Sequence, residues 1–78
     1  MVDHEPDAHL DLRGLKCPLP VIRAKRRLKE MLPEQVLHLV CSDPMTQIDI
    51  PHMAHELGHT LLSSEVHEED FLFWLQRM

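Results

Sequence analysis

Val21, Ile22, Ala24, Leu28, Met31 and Leu32 recur at helical spacing between Pro20 and Pro33, with charged residues filling the opposite faces. A compact apolar run, Val36 to Cys41, follows almost at once and ends in Ser42-Asp43-Pro44. That pattern predicts a mostly buried strand with a sharp exit. Ahead of the helix, Leu10 to Arg13 alternates apolar and polar residues and stops at Gly14, as a short strand and turn would. Strand, helix and strand in this order form a parallel unit with a right-handed crossover. No other feature narrows the choice of folds as much.

A second helix is expected over about Thr46 to Leu57, with Ile48, Met53 and Leu57 turned inward. Pro51 falls inside it, so either the first turn is irregular or the regular helix starts near Asp49. Gly58 supplies a left-handed stop. Thr60–Val66 and Phe71–Arg77 read as two strands, most simply an antiparallel hairpin, around His67-Glu68-Glu69-Asp70. That loop contains no Gly or Asn, which argues against a tight two-residue turn. The order is β-α-β-α-β-β, an α+β chain. Its 78 residues support one domain with a single modest core in two layers. Met1 to His9 is acidic and polar and reads as a disordered lead-in, which leaves residues 10–78 as the domain.

The net charge of −5 hides an asymmetry, because residues 13–29 carry +7 and the remainder −12. A globally acidic chain whose aromatics are Phe71, Phe73 and Trp74 is a poor candidate for direct nucleic-acid binding. The basic stretch suits an acidic partner surface or an anionic sulfur or phosphate group. A solvated helix face is the competing reading for the residues farthest from Cys17. The three aromatics fit core and sheet surface, with a partner or dimer contact through Trp74 as the lesser reading. No apolar stretch approaches the ~20 residues of a membrane helix, and the start of the chain lacks the regions of a secretory signal. Two cysteines are too few for a disulfide framework, so a reducing, cytoplasmic setting is expected.

Cys17 lies in Gly14-Leu15-Lys16-Cys17-Pro18-Leu19-Pro20, at the mouth of the first helix. Unpaired N–H groups and the positive end of the helix dipole favour a thiolate there. Arg13 and Lys16 would add to this as electrostatic support. Pro18 and Pro20 stiffen the loop and hold the thiol outward, but each removes an N–H donor. A modest fall below the free-cysteine pKa of ~8.5 is therefore expected. Arg13 has two open readings: pairing with Asp11 to shape the loop, or facing the sulfur anion. Both helices begin at the carboxyl ends of their preceding strands, which puts Cys17 and Asp43 on one rim. Asp43 is expected to cap the second helix and fix the turn before Pro44, with partner binding a lesser reading. Cys41, in an apolar strand, reads as core.

His55-Glu56-Leu57-Gly58-His59 matches the zinc-peptidase pattern His-Glu-x-x-His. Gly58 breaks the helix the motif needs, and only 19 residues remain to supply a third ligand and a cleft. No resident metal is expected, although His52, His55 and His59 can collect adventitious ions.

Taken with Asp43-Pro44, Asp49-Ile50-Pro51 and Gly58-His59, the run Leu10-Asp11-Leu12-Arg13-Gly14-Leu15-x-Cys17-Pro18-x-Pro20 resembles the TusA/SirA family over nearly the whole chain. The resemblance implies a small cytoplasmic two-layer α/β sandwich, a four-stranded mixed sheet with two helices on one face. It also implies a persulfide on Cys17, received from a cysteine desulfurase or rhodanese-like donor and relayed to an acceptor protein. The routes served are tRNA thiolation, cofactor assembly or sulfur oxidation, and no cofactor, membrane or nucleic-acid partner is implied. On this reading Arg23, Arg26 and Arg27 belong to a docking face and the protein is a monomer. Two departures stand out: Pro33-Glu34-Gln35 replaces a turn where glycine is common, and Met53 stands where many members have a second cysteine. The competing class is a regulatory or protein-binding module in which the thiol is dispensable.

Overall fold

A computed structural model describes residues 5–78. Its elements follow the expected order: β1 (Ala8–Leu12), α1 (Leu19–Lys29), β2 (Val36–Cys41), α2 (Thr46–Glu56), β3 (Thr60–His67) and β4 (Asp70–Gln76). They form a four-stranded mixed sheet in the order β1-β2-β4-β3, in which β1 and β2 are parallel and β4 is antiparallel to both neighbours. Both helices pack on one face of it, as the family resemblance implied.

The first strand starts earlier than its apolar alternation indicated. Asp7 donates its N–H to the Val36 carbonyl at 2.7 Å and accepts the Val36 N–H through its carboxylate at 2.8 Å. This double contact clamps the chain to β2, so Ala8 and His9 are strand residues and not lead-in. Met1 to His4, the first part of that expected lead-in, lie outside the described residues.

The core follows period two in the strands and the helical period in the helices. Leu12, Leu37, Leu39, Cys41 and Leu75 are fully buried, beneath Ala24 and Leu28 of α1 and Ile50, Met53 and Ala54 of α2. Cys41 is core, as expected, and burial pushes its thiol pKa up to about 11.

Four apolar residues expected inside are outside. Ile22 and Leu32 are exposed because α1 buries the stripe Pro20, Ala24 and Leu28, with Met31 just beyond the helix continuing it. Ile48 and Leu57 are exposed because α2 turns Thr46, Ile50, Met53 and Ala54 inward. A buried threonine at this position costs little, since its hydroxyl donates to the Asp43 carbonyl at 2.7 Å. That bond lets Thr46 lie on the inward face that Ile50, Met53 and Ala54 define, which leaves Ile48 outside. The helix runs unbroken through Pro51, which lacks the N–H that would have reached the Gln47 carbonyl.

Gly58, at φ 76°, ends α2 in a Schellman arrangement. The His59 N–H donates to the Ala54 carbonyl at 2.8 Å and the Gly58 N–H to the His55 carbonyl at 3.2 Å. His55 and His59 therefore share no helix, and His59 Nδ1 accepts the Met78 N–H at 3.1 Å.

The β3–β4 connection corrects the expectation of a longer loop. His67 pairs with Asp70, leaving a two-residue turn, Glu68-Glu69, with Glu68 at φ 56°. The pairing of Val66 with Phe71 and Ser64 with Phe73 keeps the Phe residues on the core side. That register forces a glutamate into backbone that glycine prefers.

A second such position lies at the α1–β2 turn, where Glu34 has φ 74°. The C-terminus holds this turn. Glu34 donates its N–H to the Arg77 carbonyl, the Arg77 N–H reaches the Gln35 carbonyl at 2.9 Å, and Arg77 Nε donates to the Leu28 carbonyl at 2.7 Å. Replacing Glu34 removes side-chain strain without touching these backbone bonds. Glu34→Gly is expected to stabilise the fold by about 0.5–1 kcal/mol, the left-handed penalty less the entropy of glycine. Leu39→Ala is expected to cost about 2–5 kcal/mol through lost burial and a residual cavity. Urea titrations of the two variants beside the parent protein check both signs.

Candidate functional site

The loop from Arg13 to Pro18 leaves the carboxyl end of β1 and is tied to the turn that leaves the carboxyl end of β2. Gly14, at φ 85°, donates its N–H to Ser42 Oγ at 2.8 Å. Asp43 makes the stronger tie. Its Oδ2 accepts the Cys17 N–H at 2.7 Å while its Oδ1 accepts the Met45 N–H at 3.0 Å. Cys17 and Asp43 thus share one rim, and one carboxylate fixes both the thiol-bearing loop and the entry to α2. Those two N–H groups, with Lys16 nearby, hold the Asp43 carboxyl below its usual pKa.

Arg13 takes the loop-shaping role of its two open readings. Its guanidinium grips Asp11 through Nε at 2.9 Å and Nη2 at 2.8 Å, and Nη1 lies 3.8 Å from Asp70. This fork, together with the Arg13 N–H, draws the pKa of Asp11 down to about 2. Arg13 is engaged there and supplies no cation to the sulfur. Pro18 stands at the start of α1, and Pro20 is buried in its first turn.

The Cys17 thiol is exposed, but its surroundings reverse the expected acidity. Cys17 Sγ lies 3.0 Å from Asp49 Oδ2, a carboxylate on the first turns of α2. Hydrogen bonding to Asp49 raises the thiol pKa above the ordinary cysteine value, with desolvation and the charges of Asp49 and Asp43 adding to it. The helix mouth offers little in return. Pro18 and Pro20 have no N–H, and the Leu19 N–H donates to the Lys16 carbonyl at 2.9 Å. The expected lowering required free donors, and few remain. Asp49 was visible in the sequence within Asp49-Ile50-Pro51, yet nothing there set it beside a cysteine 32 positions away.

A groove of about 280 Å³ runs from Cys17 and Pro18 between the two helices. Val21 of α1 and Met53 and Leu57 from the α2 side line it, with Lys25 on one wall and Asp49, His52 and Glu56 on the other. The basic residues expected to dock a partner sit elsewhere. Arg23, Arg26 and Arg27 line a shallow depression with Leu10 and Glu30, and Arg27 Nη1 pairs with Glu30 at 3.2 Å. Lys25 is the cation of α1 that reaches the thiol's groove. Among the described residues, no group of three His, Cys, Asp or Glu side chains is placed to hold a metal ion, and no helix is long and apolar enough to cross a membrane.

Comparison with known proteins bears on the fold and the family. The fold matches that of the SirA-like protein from Desulfitobacterium hafniense with a TM-score of 0.79, covering 88% of this chain and 95% of that one at 24% identity. The sulfur carrier protein TusA of Pseudomonas putida is 36% identical over 77 residues, which span 99% of this chain and 96% of that protein. The protein of the same name from Pseudomonas aeruginosa is 34% identical over 74 residues, 95% of this chain and 94% of its own length. The family described as Sulfurtransferase TusA matches residues 8–77, and the chain belongs to that family.

Proposed function

We propose that this protein is a sulfur carrier that holds sulfane sulfur as a persulfide on Cys17 and relays it between a donor and an acceptor protein. The observation that carries this reading is the exposed Cys17 thiol, which lines the α1–α2 groove on a loop that Asp43 anchors through the Cys17 N–H. Transfer needs a thiol that an incoming protein persulfide can reach, on a loop that keeps its position before and after reaction. Cys41, fully buried, supplies no second thiol for a dithiol cycle.

In the loading step, Cys17 Sγ attacks the outer sulfur of the donor's persulfide. A bond forms between Sγ and that sulfur while the donor's own sulfur–sulfur bond breaks. The electron pair stays on the donor's cysteine sulfur, which takes up the proton Cys17 has lost. The sulfane sulfur keeps its oxidation state. Unloading repeats the exchange with an acceptor thiol. A cysteine desulfurase or rhodanese-like protein fits as donor, and the acceptor sets whether the sulfur serves tRNA thiolation, cofactor assembly or sulfur oxidation. This is relay chemistry in the cytoplasm, and it requires no cofactor.

The basic outer flank of α1, with Arg23 and Arg26 exposed, suits an acidic partner surface. Its contribution is to association and not to the sulfur exchange.

Incubation with a persulfide donor is expected to add about 32 Da per transferred sulfur to the intact protein, mapped to Cys17 and absent in Cys17→Ser. Cys17→Ser that still supports sulfur delivery in a reconstituted relay would favour the regulatory-module reading. The raised thiol pKa means little thiolate at neutral pH. Iodoacetamide alkylation of Cys17 is therefore expected to climb with pH to a midpoint above the free-cysteine value of about 8.5. Reversing Arg23 and Arg26 together to Glu is expected to slow loading from a protein donor about tenfold at low salt, with loading from a small neutral persulfide unchanged. Stopped-flow measurements at two ionic strengths separate the two.

A further inference from the structure

Cys17 donates to Asp49 in the free protein, and this contact works against the chemistry proposed for it. A thiol hydrogen-bonded to a carboxylate keeps its proton, because as a thiolate it would face that carboxylate with like charge. The thiolate is the nucleophile, so the resting carrier presents its less reactive form. The charges around the sulfur offer no internal relief. Asp43 is a second carboxylate, and Lys16, beside Cys17 in its loop, acts on Asp43. Arg13 is held by Asp11 and Asp70.

The groove indicates what would free the thiol. Pro18, Val21, Met53 and Leu57 give it an apolar lining. Its α2 wall is acidic through Asp49 and Glu56, and its α1 wall carries Lys25. His52 on the same α2 wall lies 3.6 Å from Glu56. Among the described residues, Asp49 is half-buried and makes no ion pair, and its one side-chain hydrogen bond is to the thiol. A cation reaching the thiol end of this groove therefore meets an uncompensated carboxylate already turned towards the sulfur. An anion there meets two carboxylates.

We propose that Asp49 locks the resting Cys17 thiol in its protonated form, and that a partner protein releases it by placing a lysine or arginine side chain against Asp49 in the α1–α2 groove. The inference rests on the carrier reading above. Once the partner's cation pairs with Asp49, the carboxylate loses its hold on the Sγ–H proton, which passes to solvent. The thiolate then attacks the outer sulfur of the partner's persulfide. The Sγ–S bond forms, the partner's S–S bond breaks, and the partner's cysteine sulfur keeps the electron pair and takes a proton from solvent. The groove therefore selects partners with a basic residue close to their reactive cysteine.

Two synthetic peptide persulfides of equal length test this, one with arginine flanking its cysteine and one with glutamate. The wild-type protein is expected to gain its adduct on Cys17 at least about tenfold faster from the arginine peptide, and Asp49→Asn is expected to narrow the ratio to about twofold. Asp49→Asn is also expected to move the pH profile of iodoacetamide alkylation to lower pH. Equal loading of the wild type by both peptides overturns the lock and leaves the carrier reading standing, as does an Asp49→Asn profile identical to the wild type. An adduct from neither peptide overturns the carrier reading and the lock with it. The comparison of peptides on the wild type needs no variant, so it decides the matter even if Asp49→Asn folds poorly.

Discussion

One carboxylate, Asp43, joins the two halves of the rim that carries Cys17. It receives the N–H of Cys17 from one loop and of Met45 from the other, so neither turn can move without disturbing its partner. The same residue's carbonyl accepts the Thr46 hydroxyl, which ties the first turn of α2 to this loop. With Ile50, Met53 and Ala54 of α2 turned to the core, Asp49 lies against the sulfur. Backbone donors fixed by a charged acceptor are among the stronger local constraints available to a small exposed loop. A 78-residue chain with a modest core has few other means of holding a reactive group in a fixed place.

The fold was legible in the sequence where a periodicity ran unopposed. The alternation around Leu12 and the run Val36 to Cys41 gave the parallel pair, Gly58 marked the end of α2, and Cys41 declared itself core by its neighbours. Legibility failed where hydrogen bonds and register placed residues against their local pattern. Thr46 displaced Ile48 from the inside because its hydroxyl had a partner in the Asp43 turn. Glu68 and Glu34 occupy left-handed backbone because strand register and the C-terminal clamp dictate it. Asp7 extended β1 by pairing with Val36, a residue 29 positions away. The Glu34 and Asp7 cases rest on contacts between segments far apart in the chain, which local pattern cannot register.

The site divides in the same way. Cys17 and Asp43 could be set on one rim from topology alone, because both follow the carboxyl ends of parallel strands. The acidity of the thiol could not. Proximity of basic residues in sequence suggested a thiolate, yet Arg13 folds back on Asp11 and the Arg23, Arg26 and Arg27 cluster faces the far flank of α1. Only Lys25 among the cations of α1 lines the thiol's groove, and Asp49 arrives from the other helix. Charge counted along a chain says little about the field at one atom when the fold separates neighbours and unites strangers.

A sulfur carrier must be reactive twice and inert in between, and the acidic setting of Cys17 bears on both requirements. In the proposed relay the Cys17 sulfur is the nucleophile during loading, and a carboxylate at 3.0 Å opposes its ionisation. During unloading the same sulfur is the leaving group, and a thiol of higher pKa leaves more slowly. The carboxylates that quiet the empty carrier therefore also slow loss of sulfur from the loaded one to stray thiols. A cation supplied by a docked partner would relieve both obstacles through the same contact, whichever direction the sulfur moves. Accessibility of the thiol and control over its charge are in this way separated. In the proposed carrier the loop provides the first, and Asp49 on the facing helix the second.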